Sequence, residues 1–196
     1  MIERKTSEER KEEITAAAIK ILSEKGSKKF TSSALAKEVG LSSGAIFRHF
    51  DTITEIADFI VEKVYFRLSG QAVNISDDPI ENIELFLLKP LKFISEYPGI
   101  IKIIFSGQLE LVTSPQSSEK LRSLQRHTFE FIRTNLIDAS EKGFLRENTD
   151  VDALTVIITG TLLSASNQVS SNFSHQKSSD ELNQAVLKQL VKLIRG

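Results

Sequence analysis

The sequence predicts an all-α chain of about nine helices, with a three-helix N-terminal head joined to a larger helical region. Three observations carry this. Apolar residues recur at spacings of three and four almost throughout, alternation of period two is absent, and the four Pro and nine Gly fall mostly where such helices start or stop. At 196 residues with 40% hydrophobic and 26% charged side chains, the chain can bury roughly 70% of its unfolded surface without covalent staples. It has no Cys, which removes disulfides, thiolate metal sites and a Cys nucleophile together.

The first helix is expected from Ser7 to Lys25, with Ile14, Ala17, Ala18, Ile21 and Leu22 as one apolar stripe and Gly26 as its stop. Two short helices follow at about 32–39 and 42–50. Thr52 and Glu55 stand in capping-box register for a fourth, continuing to about Ala72. Asp78, Pro79 and Glu81 supply an N-cap, an N1 proline and an N3 acid for a fifth, in which Pro90 predicts a kink or an early end. Tyr97-Pro98 opens a short helix through Phe105, and Ser114-Pro115 opens a long one ending at Gly143. Asp150 starts the next, to about Ser171, and Ser178 with Glu181 caps the last, to Ile194.

Charge is distributed unevenly along this series. Residues 1–50 hold ten Lys/Arg against seven Asp/Glu, and the remainder fifteen against nineteen. A basic head on an acidic body fits a polyanion that meets the head alone.

The stretch TSSALAKEVGLSSGAIFRHF, residues 31–50, explains why. Where two helices cross closely a small residue is needed, and Ala36 supplies it; four residues on, Gly40 permits a turn conformation that side chains resist. Leu35, Val39, Leu41, Ile46 and Phe50 then point inward. The pattern is a helix-turn-helix, here assigned to a domain of residues 1–51, with residues 52–196 as a second, helical domain.

Its outward side chains suit a DNA duplex. Ser42 is the expected N-cap of the second helix, beside the Ser43 hydroxyl, and Thr31, Ser32 and Ser33 open the preceding helix in the same way, so both starts suit phosphate. Gly44 and Ala45 let the helix approach base edges. Arg48 is the long cation placed for a guanine, with His49 and Phe47 beside it, and Lys28 and Lys29 stand in the loop before the first hydroxyl cluster.

At these residues the sequence resembles the TetR family of bacterial transcriptional regulators. The similarity covers about Glu12 to Ile60: AAAIKILSEKG, then FTSSALAKEVGLSSGAIFRHF, then a capped fourth helix. Two departures stand out: the family usually carries Tyr at the position of Phe47 and Lys at that of Ile53. Both weaken anchoring to the phosphate backbone, for which Lys28 and Lys29, or Arg4 and Lys5 of the N-terminal arm, can compensate.

The resemblance implies that residues 52–196 bind a small molecule and form a homodimer through the last two helices. It implies a cytoplasmic repressor released by an inducer from a two-fold symmetric operator. Phe86, Phe93, Phe105 and Phe129 are the candidate walls of a pocket for an apolar inducer, although core packing also explains them. Along the helix from Asp150, Leu154, Ile158, Leu162 and Ala165 form an apolar line beside the small residues Gly160 and Ser164, the candidate interface.

No cofactor or metal is read. His127 and His175 stand away from any partner at ligand spacing. The rival reading is a helical carrier or enzyme with a vestigial head. Against an enzyme, the chain has no GxSxG, no HExxH and no phosphate-binding glycine loop. No secretory signal opens the chain, and its longest apolar run, 154–165, is too short to span a bilayer, so no membrane partner is expected.

Overall fold

A computed structural model describes residues 6–69, 75–97, 99–166 and 179–195. Within them lie nine α-helices: α1 (Ser7–Lys25), α2 (Ser32–Val39), α3 (Ser43–Ile46), α4 (Ile53–Leu68), α5 (Pro79–Glu96), α6 (Ile100–Phe105), α7 (Pro115–Glu141), α8 (Val151–Ser166) and α9 (Ser179–Ile194). Among the described residues there is no strand, only an isolated antiparallel bridge between Leu145 and Arg195. No helix among them is long and apolar enough to cross a membrane.

The helix starts are set by local side-chain chemistry. Thr6 closes a full capping box on α1: its hydroxyl accepts from the Glu9 amide while the Glu9 carboxylate accepts from the Thr6 amide. At α4 the Thr52 hydroxyl accepts from the Glu55 amide, but the Glu55 carboxylate reaches back one residue further, to the Asp51 amide. Asp78 caps α5 by accepting from Ile80 and Glu81. Helix α5 does not end at Pro90; it runs on to Glu96. Helix α4 stops at Leu68, four residues short of the expected end.

The chain divides into two compact units. One holds residues 1–66 and 102–121, the other 67–101 and 122–196. This division by contact differs from the boundary expected between residues 51 and 52, since most of α4 falls in the first unit.

In the first unit, α1 packs on α2 and α2 on α3. Ile14, Ala18 and Ile21 of α1, Leu35 of α2, Ile46 of α3 and Ile56, Ile60 and Val64 of α4 are completely buried. Residues 102–121 are tied in by polar contacts. The Ser114 amide donates to Asp58 at 2.9 Å, Lys120 pairs with Glu62, and the Ser27 amide donates to Gln108 at 2.7 Å.

In the second unit, α5 packs against α8 and α9. Ile80, Ile83, Leu87, Ile132, Leu136 and Ile158 form its core. Asn82 is buried but satisfied: its carbonyl accepts the amides of Ile75 and Ser76, and its amide donates to the Ser76 carbonyl.

Candidate nucleic-acid interface

The geometry of residues 26–50 follows from two capped helices and a left-handed glycine. The Thr31 hydroxyl accepts from the Ala34 amide and so starts α2. At the other end Gly40 takes φ 69 and ψ 34, and the amides of Gly40 and Leu41 both close on the Ala36 carbonyl. The Ser42 hydroxyl then accepts from the Ala45 amide and starts α3. Each hydroxyl uses a lone pair for its cap, leaving its hydrogen to donate outward.

Burial separates two sets of side chains. Leu35, Ala36, Ile46 and Phe50 are buried, and Val39 and Leu41 half-buried. Thr31, Ser33, Ser42, Gly44, Phe47 and Arg48 are exposed, as are Lys28 and Lys29, while Ser32, Ser43, Ala45 and His49 are half-buried. Helix α3 is shorter than its expected span of 42–50. It ends at Ile46, because the amides of Arg48 and His49 bond three residues back, to Ala45 and Ile46, and tighten the chain into a turn. Arg48 therefore projects from that turn. His49 lies with its Nδ1 3.3 Å from the Ser7 hydroxyl at the start of α1.

Three of the head's cations are already matched by acids. Lys20 lies 2.5 Å from Glu38, with Lys25 at 3.9 Å, and Arg10 lies 2.6 Å from Glu13. The pair shows in the titration of both partners: the hydrogen bond to Glu38 raises the Lys20 pKa, and the same bond lowers that of Glu38. Among the described residues Lys28, Lys29, Lys37 and Arg48 form no ion pair. Lys37, exposed on α2, is a candidate the sequence reading left out; its signal was only a lone cation on a short helix. Arg4 and Lys5 lie outside the described residues.

The other expected residues are distributed differently. Phe86 and Phe93 are buried, Phe86 stacked on Phe131 at 4.5 Å and Phe93 against Tyr97 at 5.2 Å. Phe105 and Phe129 are exposed. His127 is exposed, and His175 lies outside the described residues.

The residues expected at an interface on α8 fall on two faces of that helix. Leu154 and Ile158 are buried within the protomer. The face that stays open carries Ala153, Val156, Ile157, Gly160 and Ser164, one helical stripe that keeps two of the expected residues and adds three. Leu162 and Ala165 lie on α8, outside the side chains described.

Comparison with known proteins fits this arrangement. The pattern of the family described as "Bacterial regulatory proteins, tetR family" matches residues 14–58. A nucleoid occlusion factor SlmA from Vibrio atlanticus is 30% identical over 176 residues, covering 85% of this chain and 87% of that protein. The SlmA of Vibrio vulnificus is 29% identical over 180 residues, 88% of this chain and 89% of its own.

Among solved structures, the ketosteroid transcriptional regulator KstR2 of Mycobacterium tuberculosis superposes with a TM-score of 0.74 at 18% identity, covering 95% of each chain. AibR, solved in complex with isovaleryl coenzyme A and operator DNA, gives 0.67 at 12% identity, covering 94% of this chain and 97% of its own. At such identities these two carry the fold alone. The match to SlmA along most of both chains, with the family pattern lying over the helix-turn-helix, carries the relationship. The chain belongs to the TetR family of bacterial regulatory proteins.

Proposed function

We propose that the chain is a homodimeric, ligand-responsive regulator, most simply a repressor, that grips a two-fold symmetric duplex site through residues 28–49 and leaves it when a small apolar molecule binds the second domain. The observation that carries this reading is the division of burial in the helix-turn-helix. Leu35, Ala36, Ile46 and Phe50 are buried, while Thr31, Ser33, Ser42, Arg48, Lys28 and Lys29 are exposed. In this reading the lysines and the capping hydroxyls meet phosphates, and Arg48 meets a base edge. The role is binding rather than catalysis, and the protein works in the cytoplasm, where its DNA is.

Release by a ligand needs differential affinity. A molecule that lowers operator affinity a hundredfold must prefer the non-binding arrangement by at least about 2.7 kcal/mol. Phe86 and Phe93 are the aromatic side chains proposed to line its site. Dimerisation supplies the symmetry: two heads about 34 to 36 Å apart meet successive major grooves.

The test is binding of the purified protein to its own upstream DNA across a salt series. The reading expects affinity that falls steeply with salt and persists on one symmetric sequence. Equal binding to every duplex, together with a tightly held small molecule, would favour a helical carrier instead.

A second reading has its own support, the similarity to nucleoid occlusion factors along most of the chain. In this reading the chain binds DNA in nucleoid occlusion rather than beside the genes it would control. Mapping bound sites across the genome separates the two.

A further inference from the structure

We infer that Gln108 is a positioning residue for DNA binding: it holds the Lys28-Lys29 turn where the two ammonium groups can meet the phosphate backbone. The inference rests on the reading of residues 28–49 as a DNA-contacting surface.

The geometry begins at Gly26, which ends α1 with φ 77 and ψ 172 and turns the chain into a three-residue 3-10 helix, Ser27–Lys29. Such a turn leaves its first amides without a partner of their own. The Lys29 amide bonds to the Gly26 carbonyl and that of Phe30 to Ser27, but the Ser27 amide points out of the turn. It is met by the side-chain carbonyl of Gln108 at 2.7 Å, across 81 residues of sequence.

Gln108 is itself held on both sides. Gly107 before it is left-handed at φ 71, and Leu109 after it is completely buried, its amide bonded to the Ile103 carbonyl. A side chain on residue 26 would stand 3.2 Å from the Gln108 oxygen, so Gly26 also leaves the acceptor room. Lys28 and Lys29 are exposed, and neither has an ion pair among the described residues. Their position is therefore set by the backbone of a three-residue turn, and one side chain from a distant segment fixes the start of that turn.

Two lysines on a wandering turn attract DNA diffusely. Held in place, they form discrete phosphate contacts, each of which adds about 0.9 to the slope of log affinity against log salt. That difference makes the anchor measurable.

The experiment uses the full chain with Gln108→Met, which keeps the length and removes the acceptor, and Gln108→Glu, which keeps an acceptor. Without DNA, amide exchange at Ser27 should accelerate on the order of tenfold in Gln108→Met and stay slow in Gln108→Glu, with exchange in α1 and α4 unchanged. Unchanged Ser27 exchange in Gln108→Met overturns the anchor, whatever the DNA result. On a fixed duplex, Gln108→Met should lower the salt slope by about 1 to 2 per protomer. It should have no further effect in a Lys28→Ala/Lys29→Ala background. An equal loss in both backgrounds means that Gln108 acts by general stability and overturns the positioning role. If wild-type protein binds no duplex while Ser27 exchange responds as expected, the DNA reading fails and the anchor stands.

Discussion

Arg195, one residue beyond α9, donates through Nη2 to Asp78 Oδ2 at 2.6 Å, while Oδ1 of the same carboxylate caps α5 by accepting from Ile80 and Glu81. One acidic side chain thus starts one helix and anchors the end of another, 117 residues away in sequence. Partial burial pushes the Asp78 carboxyl up, but the hydrogen bonds from Arg195 and from the two amides outweigh it and leave the pKa below its ordinary value.

A carboxyl lowered on folding binds fewer protons in the native state, so its stabilisation is fully present above the unfolded value of about 3.9 and is lost as pH falls through the folded one. Asp78→Asn, which keeps a capping oxygen, should flatten stability against pH below about 4 relative to wild type. Asp78→Ala loses the cap as well and should cost about 1 to 2 kcal/mol at neutral pH. Denaturant titrations between pH 3 and 7 check both; parallel curves for wild type and Asp78→Asn would remove Asp78 from the account of acid stability.

Gly40 is needed for its backbone conformation and not for space. A side chain there would meet nothing within 4 Å, yet the residue sits at φ 69. Gly40→Val should therefore destabilise by about 1 to 2 kcal/mol, and Gly40→Asn by much less, since Asn tolerates the left-handed region. Thermal unfolding of the two variants gives the comparison, and equal losses would contradict the conformational explanation.

Arg48 is exposed on the turn that follows α3. If it reads a guanine, Arg48→Ala costs about 1 to 3 kcal/mol on the preferred duplex and little on duplexes altered at that base pair. A loss spread evenly over all sequences would make it a phosphate contact. Competition binding over a set of single-base variants distinguishes the two.

Adjacent residues on α8 should behave in opposite ways. Ile157 is 55% exposed and Ile158 completely buried. Ile157→Asp should weaken the dimer by on the order of 2 kcal/mol, a change of about thirtyfold, with the protomer's fold intact. Ile158→Ala should instead lower protomer stability by about 2 to 5 kcal/mol. Sedimentation with parallel unfolding curves separates them; a dimer indifferent to Ile157→Asp places the interface elsewhere.

How much of this was legible in the sequence depended on the reach of each interaction. The caps at Thr31, Ser42, Thr52 and Asp78 could be read directly, because a capping oxygen meets an amide two or three residues on and leaves a short, fixed spacing. The Gly40 turn and the inward residues Leu35, Ile46 and Phe50 were legible for the same reason, with helical periodicity marking which side faces in. The length of α3 was not, since composition does not distinguish a continuing helix from a turn closed by bonds three residues back.

Spacing along the chain was enough to show that it is helical, where its helices begin, and that residues 31–50 form a helix pair with hydroxyls and a cation on its outer side. It took the folded chain to show that Gln108 holds the Ser27 amide, that Arg195 meets Asp78, and that α8 turns Ile158 inward and leaves Ile157 out. A bond across 81 or 117 residues imposes no spacing on the chain between its ends. An apolar helix such as α8 offers several faces that could be buried, and its neighbours select one.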